Sequence, residues 1–369
     1  MYSNITIENR RRFSPALSAP QRSCLSVNRQ AALPKLRKKV SFQDHWVAVP
    51  KSVTSDAEGS LLLVSSVVPS TDQKDLQSFL PPKWTVLKEP NISLRNSLNK
   101  CWFHAGLHLL SCIPNLRFLC MSSSNTNLST FEIQLFNAVR ALFHTRSCQP
   151  VALFFRSVMD FNGVNNRFGQ VATSDFIEHL CSRSPKLLQE LKFSFSATLQ
   201  CIPCKWVSHK VWSDVSLKLY LPSDKKSISL ADLVGYNSKA LMDSKDAVHC
   251  GKCMINTPHS MTRDYDPDVL LIEIIRVTDA GSRWVKNGST VTFPTVGVNL
   301  PNFSRFYRVV GTCHHSGSLT SGHWLTKACT ARGWYELNDL KGANTFINPP
   351  GEDDGSVVMI LLVVDNKMA

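Results

Sequence analysis

The sequence predicts an α+β fold, and three observations carry that prediction. Segments with helical periodicity fill the first part of the foldable chain, and strand-like apolar runs fill the last part. Two C-x-x-C pairs lie between them with the spacing of a structural zinc site. At 369 residues and 43% hydrophobic content, the chain can bury a substantial core as one large domain or two ordinary ones. No apolar run approaches the length that spans a bilayer, so no membrane partner is expected.

Residues 1–84 read as a disordered, basic, Ser/Pro-rich tail. Arg10-Arg11-Arg12 and Lys35-Leu36-Arg37-Lys38-Lys39 are its basic clusters, and Leu61 to Val68 is its one strand-like stretch. Pro81-Pro82 marks the approach to a folded part over 85–369. The start is polar and then basic, unlike a secretory signal. Twelve cysteines in such a chain point to a reducing compartment, cytoplasmic or nuclear, with metal and catalytic use of the thiols. The net charge of +13 points to an acidic partner, nuclear residence or loose nucleic-acid contact, the last read as a solvated basic surface. No base-reading motif is present, so no specific nucleic acid is expected.

The first helix begins near Cys101 and reaches Ile113. Asn99 can cap it; Phe103, Leu107 and Leu110 recur at helical spacing, and Pro114 stops it. Thr130 to His144 is amphipathic, with Phe131, Leu135, Val139 and Leu142 on one face. Ser174 to Cys181 is a further helix, capped by Thr173 or Ser174. The strand-like runs are Val269–Val277, Ser289–Phe293, Phe306–Thr312 and Val357–Val364. No internal repeat is visible.

Chemistry enters with Cys101 at a helix start, a distant Gly322-His323-Trp324, and Asn338-Asp339 beyond it. A thiol, an imidazole and a carbonyl-bearing side chain in that order form a thiol triad. The thiolate is the nucleophile, and a helix N-terminus together with the His323 imidazole is expected to lower the Cys101 pKa. Asn338 would accept the imidazole N–H, with Asp339 as a second candidate. Asn96, or a backbone N–H near Cys101, would donate to an oxyanion. His314-His315 reads as a loop beside the catalytic histidine.

The pairs Cys201-Ile202-Pro203-Cys204 and Cys250-Gly251-Lys252-Cys253 are separated by 45 residues. Each can place two thiolates on one tetrahedral Zn²⁺, and four thiolates leave no open position, so the site is expected to be structural. Gly251 is expected to supply backbone freedom to its knuckle.

These boxes together resemble the ubiquitin-specific protease family of thiol isopeptidases. That family's cysteine box reads Asn-Leu-Gly-Asn-Thr-Cys-Tyr, and this chain reads Asn96-Ser97-Leu98-Asn99-Lys100-Cys101-Trp102. Gln170 to Leu180 is similar to the glutamine-rich box, and Pro267 to Ile272 followed by Arg276 to the Pro-x-Val-Leu strand. Phe293-Pro294, the stretch Tyr307 to Trp324, and Trp334-Tyr335-Glu336-Leu337-Asn338-Asp339 match later elements in the family's order. The resemblance runs from about residue 88 onward.

The resemblance implies a papain-like core with thumb, palm and zinc-bearing fingers, the fingers over about 195–260. Cys101 would be the nucleophile, His323 the base, Asn338 the orienting residue and Asn96 the oxyanion donor. Gln170, Asp175 and Trp324 would contact substrate, which would be the isopeptide bond after a ubiquitin-like Gly-Gly tail. Several positions depart from the family. Leu98 replaces a glycine, His104 an asparagine, His108 a glutamine, Trp324 a tyrosine, and Ala172 an aspartate that helps hold ubiquitin's arginines. The last leaves SUMO as an alternative modifier to ubiquitin, and an inactive ubiquitin-like-binding module is a third reading. In the tail, Lys39-Val40-Ser41-Phe42 resembles the docking motif of type-1 protein phosphatase and implies that partner.

Overall fold

The computed structural model describes residues 94–365, apart from 97–98, 122–126, 146, 159–170, 243–247, 255, 258, 266, 280–283, 320, 342–344 and 352–354. The basic tail with Leu61–Val68 and Lys39–Phe42, and Gln170, lie outside the described residues.

Helices come first. Helix α1, Cys101–Ser111, is buried at every residue. Burial all round places it inside the domain rather than on its surface, with His104, His108 and Ser111 as its buried polar residues. Its N-cap position is Lys100, with no side-chain cap. Asn99 does not cap it, because its backbone turns left-handed at φ 53°, a conformation asparagine tolerates better than most residues. Asn96 ties the approach to the helix instead: its Oδ1 accepts from the amide of Lys100, the N-cap residue, at 2.9 Å. Pro114 ends the segment and opens α2, Pro114–Met121, as suits a residue without an N–H to satisfy.

Helix α3, Thr130–Arg140, runs into a π-helical turn at Ala141–Thr145. Ser129 and Glu132 form a capping box at its start. Glu132 also accepts from Ser184 Oγ at 3.0 Å and the Lys186 amide at 3.2 Å. One carboxylate thus serves two helix starts, that of α3 and that of α6, Pro185–Leu191. Helix α4 spans Cys148–Ser157 and α5 spans Thr173–Arg183. The N-cap position of α5 is Ala172, so neither Thr173 nor Ser174 caps it. The Thr173 hydroxyl instead donates to the Trp102 carbonyl at 3.2 Å and ties α5 to α1.

The strands follow. A four-stranded sheet has the order β2-β1-β5-β4, from β1, Phe193–Cys201, β2, Val207–Asp214, β4, Lys239–Met242, and β5, His259–Tyr265. The main sheet uses β3, Leu217–Tyr220, β6, Val269–Ile275, and β7, Phe306–Gly317. Its other strands are β8, Gly322–Thr330, β9, Gly333–Leu337, β10, Thr345–Ile347, and β11, Val357–Val364. Their order is β10-β9-β8-β7-β11-β6-β3, antiparallel except for the β3–β6 pair, and the short strand Val298–Asn299 adds to β7. The helices-then-strands order of the sequence is the α+β architecture observed, with one further helix, Leu230–Ser238, between β3 and β4.

The central strand explains its own sequence. Met359, Leu361 and Val363 of β11 face the helices, while Ile360, Leu362 and Val364 enter a second core with Leu233, Val234 and Val291. A strand covered on both faces has no polar alternation to show, so it reads as a continuous apolar run.

Helix α1 lies against β8, where the buried Thr326 Oγ1 donates to the Ala105 carbonyl at 2.8 Å. On its other side Gly106 meets α5. A Cβ at Gly106 would stand 2.7 Å from Phe176 Cδ1, and Phe176 is fully buried. Gly106→Ala gains about 1 kcal/mol of helix propensity and meets an overpacking cost of about 1–3 kcal/mol. A net loss of about 1 kcal/mol in urea denaturation is expected, opposite in sign to the same change on an exposed helix; a stabilised variant would contradict this packing.

Candidate active site

The site forms where the start of α1 meets β8 and the end of β9. Cys101 is the first residue of α1 and is 2% exposed. Its sulphur faces the backbone N–H of Trp324, the residue after His323, and the N–H groups at its own helix start. His323 is the second residue of β8, in register with Ser316 of β7. Its Nε2 lies 2.9 Å from Asn338 Oδ1. The Asn338 amide is fixed from behind: its Nδ2 donates to Glu336 Oε1 at 3.1 Å, and Lys341 Nζ donates to the same oxygen at 2.7 Å. With Nε2 engaged, Nδ1 on the opposite side of the imidazole is left for a thiol.

Asp339 does not take Asn338's place. Its Oδ1 lies 3.6 Å from His323 Nε2, and its Oδ2 lies 2.7 Å from His104 Nδ1. Its backbone carbonyl accepts from the Asn96 amide at 2.9 Å. Because Asn96 Oδ1 is held by the Lys100 amide, the Asn96 Nδ2 donor is the end left for other work. Asn96, Cys101, His323, Asn338 and Asp339 are therefore brought together by the fold.

The electrostatics differ from expectation. Burial raises the Cys101 pKa above the ordinary thiol value. The Trp324 amide pulls it down, the Asp339 carboxylate raises it, and the amides of Trp102 and Cys101 pull it down again. The helix-start amides act in the expected direction, but desolvation outweighs them. At rest the sulphur is a neutral thiol. Cys112, at the other end of α1, is pushed up to about 12 by burial and is an inert core thiol.

His314 and His315 are not in a loop but in β7. His314 is buried between Thr312 Oγ1, at 2.7 Å, and Ser356 Oγ, at 3.1 Å. His315 packs on Trp324, ring centroids 4.5 Å apart, and burial with Lys286 beside it lowers its pKa to about 4. The alternation of a strand explains the split, since successive residues face opposite sides. Lys286 Nζ donates to the carbonyls of His315 at 2.7 Å and Gly317 at 3.0 Å and pins the β7–β8 hairpin. No sequence signal marked Lys286. A Cβ at Gly322 would stand 2.3 Å from His315 Nε2, which is why glycine precedes the histidine. Asp175 stands in the first turn of α5, half-buried, three residues after Ala172.

The four paired cysteines converge. Their ligand atoms all lie within 4.8 Å of one another. Sγ–Sγ separations are 3.9 Å for Cys201–Cys253 and 3.5 Å for Cys204–Cys250. Four thiolates on a tetrahedral metal at about 2.3 Å set sulphurs about 3.8 Å apart, so the donor set fits such an ion. The two knuckles share one geometry: the Lys205 amide donates to the Cys201 carbonyl and the Met254 amide to the Cys250 carbonyl, both at 2.9 Å. The left-handed residues are Lys205 and Met254, at φ 59° and 60°, not Gly251.

Residues 92–345 match the family described as ubiquitin carboxyl-terminal hydrolase. Ubiquitin carboxyl-terminal hydrolase 21 of Rattus norvegicus and of Homo sapiens are each 22% identical over 353 residues, covering 75% of this chain and 62% of theirs. The chain thus spans under two thirds of the length of those relatives. Ubiquitin carboxyl-terminal hydrolase 11 of Schizosaccharomyces pombe is 24% identical over 184 residues, covering 46% of this chain and 51% of its own. Among solved structures, the SAGA Ubp8/Sgf11/Sus1/Sgf73 DUB module superimposes with a TM-score of 0.63 at 16% identity, over 79% of this chain and 74% of that one. The fold is therefore the papain-like arrangement of thumb, palm and fingers: the α1–α6 layer, the main sheet, and the four-stranded sheet of β1, β2, β4 and β5 beside the cysteine cluster. A sequence match over most of the folded part and a fold match agree with each other, and this chain belongs to the ubiquitin carboxyl-terminal hydrolase family.

Proposed function

We propose that this chain is a thiol isopeptidase that removes ubiquitin by cleaving after its C-terminal Gly-Gly. The carrying observation is the 2.9 Å contact between His323 Nε2 and Asn338 Oδ1, one residue from the strand backbone that faces the Cys101 sulphur. The bound forms of the structural neighbours agree with it: the SAGA DUB module was solved with monoubiquitin and with ubiquitin aldehyde.

In this reading Cys101 Sγ attacks the carbonyl carbon of the terminal glycine while its proton passes to His323 Nδ1. Asn338 holds the imidazole in the tautomer with a bare Nδ1. The Asn96 amide and the N–H groups at the α1 start donate to the oxyanion. His323 returns the proton to the departing lysine amine, and water then hydrolyses the thioester. Trp324 lines the approach, and Asp175 faces the arginines of the modifier's tail. Cys201, Cys204, Cys250 and Cys253 would hold one Zn²⁺, which shapes the fingers and takes no part in bond breaking.

Labelling with ubiquitin and SUMO probes bearing a C-terminal electrophile tests the modifier. The ubiquitin probe should label Cys101 at lower concentration; exclusive labelling by SUMO would reject ubiquitin and make Ala172, with no carboxylate, its physical explanation. Cys101→Ala should abolish hydrolysis and His323→Ala should come close. Asn338→Ala should be milder, because Asp339 Oδ1 is 3.6 Å from the same nitrogen.

A raised thiol pKa has a defined sign: the reactive thiolate becomes populated only as pH climbs beyond the ordinary thiol range. Iodoacetamide should alkylate Cys101 of the substrate-free protein more slowly at pH 7 than the exposed Cys148, with the rate rising through the alkaline range. Faster alkylation of Cys101 at pH 7 would mean that its thiol is already ionised.

Elemental analysis should find about one zinc per chain. Chelation should lower the melting temperature, since metal binding in such sites is folding free energy. A metal-free protein with unchanged melting would reject the site.

A further inference from the structure

His104 lies one turn beyond Cys101 on α1, where the family resemblance places asparagine. It is 6% exposed and 235 residues away in sequence from Asp339, which it meets at 2.7 Å between Nδ1 and Oδ2. Only one end of that carboxylate is used. Asp339 Oδ1 is buried with no hydrogen-bond partner among the described residues, and it lies 3.6 Å from His323 Nε2. A buried carboxylate oxygen left without a donor is costly and is retained where something else gives it work.

Resting on the isopeptidase reading, we propose that His104 is a positioning residue for His323, acting through Asp339. The His104 Nδ1–H donates to Asp339 Oδ2 and fixes the plane of the carboxylate. That holds Oδ1 toward His323 Nε2, on the ring edge that Asn338 Oδ1 also faces. In the resting state Nε2–H donates to Asn338. When Nδ1 takes the thiol proton, the ring becomes an imidazolium, and the aimed carboxylate, 3.6 Å from Nε2, is a negative group directly beside it, whereas the Glu336 carboxylate stands behind Asn338. An uncharged asparagine can then serve as the orienting residue while the charge comes from the neighbour.

The surroundings fit this division. His108, one turn further along α1, is fully buried, and burial with His104 beside it lowers its pKa to about 3, so it stays neutral and does not compete for the carboxylate. His315, packed on Trp324, has its pKa lowered to about 4 by burial, Lys286 and His323, and likewise adds no positive charge near neutral pH. Phe103 packs beside the His104 ring at 5.6 Å between centroids and restricts its rotation.

The test uses the full chain and ubiquitin carrying a C-terminal fluorogenic amide. His104→Ala should lower kcat about 10-fold, as loss of an outer hydrogen-bonding partner does, with KM nearly unchanged. His104→Asn returns a donor near the Nδ1 position and should recover most of that loss. The His104→Ala/Asp339→Ala double variant should be no worse than Asp339→Ala alone. Wild-type kcat in His104→Ala, an asparagine variant as slow as the alanine one, or additive losses would each overturn the proposal. If His104→Ala fails to fold, Asp339→Asn keeps the shape and removes the charge, and wild-type kcat there overturns it equally.

A second readout needs no substrate. In protein with ¹⁵N-labelled histidine, the wild-type His323 signals should report one tautomer, protonated at Nε2, and His104→Ala should mix the tautomers. Unchanged His323 signals overturn the proposal. A wild type that cleaves no ubiquitin conjugate, yet whose His323 signals depend on His104, would reject the isopeptidase reading and leave this coupling standing.

Discussion

Everything in the candidate site depends on how α1 docks against β8. The helix is buried at every residue, so it has no freedom to shift along its axis without opening the core. Thr326 and the Ala105 carbonyl close the contact at 2.8 Å, and the start of the helix then brings the Cys101 sulphur to the Trp324 amide. The register of β7 with β8 sets where His323 stands, and the turn after β9 brings Asn338 under it. A thiol, an imidazole and an amide from three distant segments thus derive their separations from one packing interface. Small residues make that interface possible, because Gly106 lets α5 approach on one side and Gly311 lets β7 approach on another.

Burial that positions the thiol also works against it. Desolvation raises the Cys101 pKa more than the helix-start amides lower it, so the substrate-free site holds a neutral nucleophile. Such a site is protected from stray alkylation and oxidation, since the thiolate is the reactive form. In the proposed reaction the proton must leave as the carbon–sulphur bond forms. That places the demand on His323 and on the groups at its Nε2, which are an amide at 2.9 Å and a carboxylate at 3.6 Å.

The cysteine cluster is a separate energetic unit. It joins β1 of the four-stranded sheet to the segment before β5 through two knuckles of matching backbone geometry. Val211 of β2 is 71% exposed, so at least this position of the sheet faces solvent. A metal ion held by the four thiolates would cross-link the two knuckles there.

By itself the sequence determined the α+β order, the helix at Cys101, the apolar strand Val357–Val364, both cysteine pairs and Cys101, His323 and Asn338 as candidate site residues. Each of these is a local signal: a periodicity, a short spacing or a box of a few residues. Tertiary structure alone decided what joins segments far apart. It tied the approach to α1 through Asn96 rather than capping the helix with Asn99, and spent the Thr173 hydroxyl on Trp102. It put His314 and His315 on opposite faces of a strand, and the left-handed turns at Lys205 and Met254 rather than Gly251. It also reversed the expected direction of the Cys101 pKa, because desolvation depends on what packs around a sulphur and no spacing encodes that. The His104–Asp339 contact spans 235 residues, and only a folded chain brings those two groups within 2.7 Å.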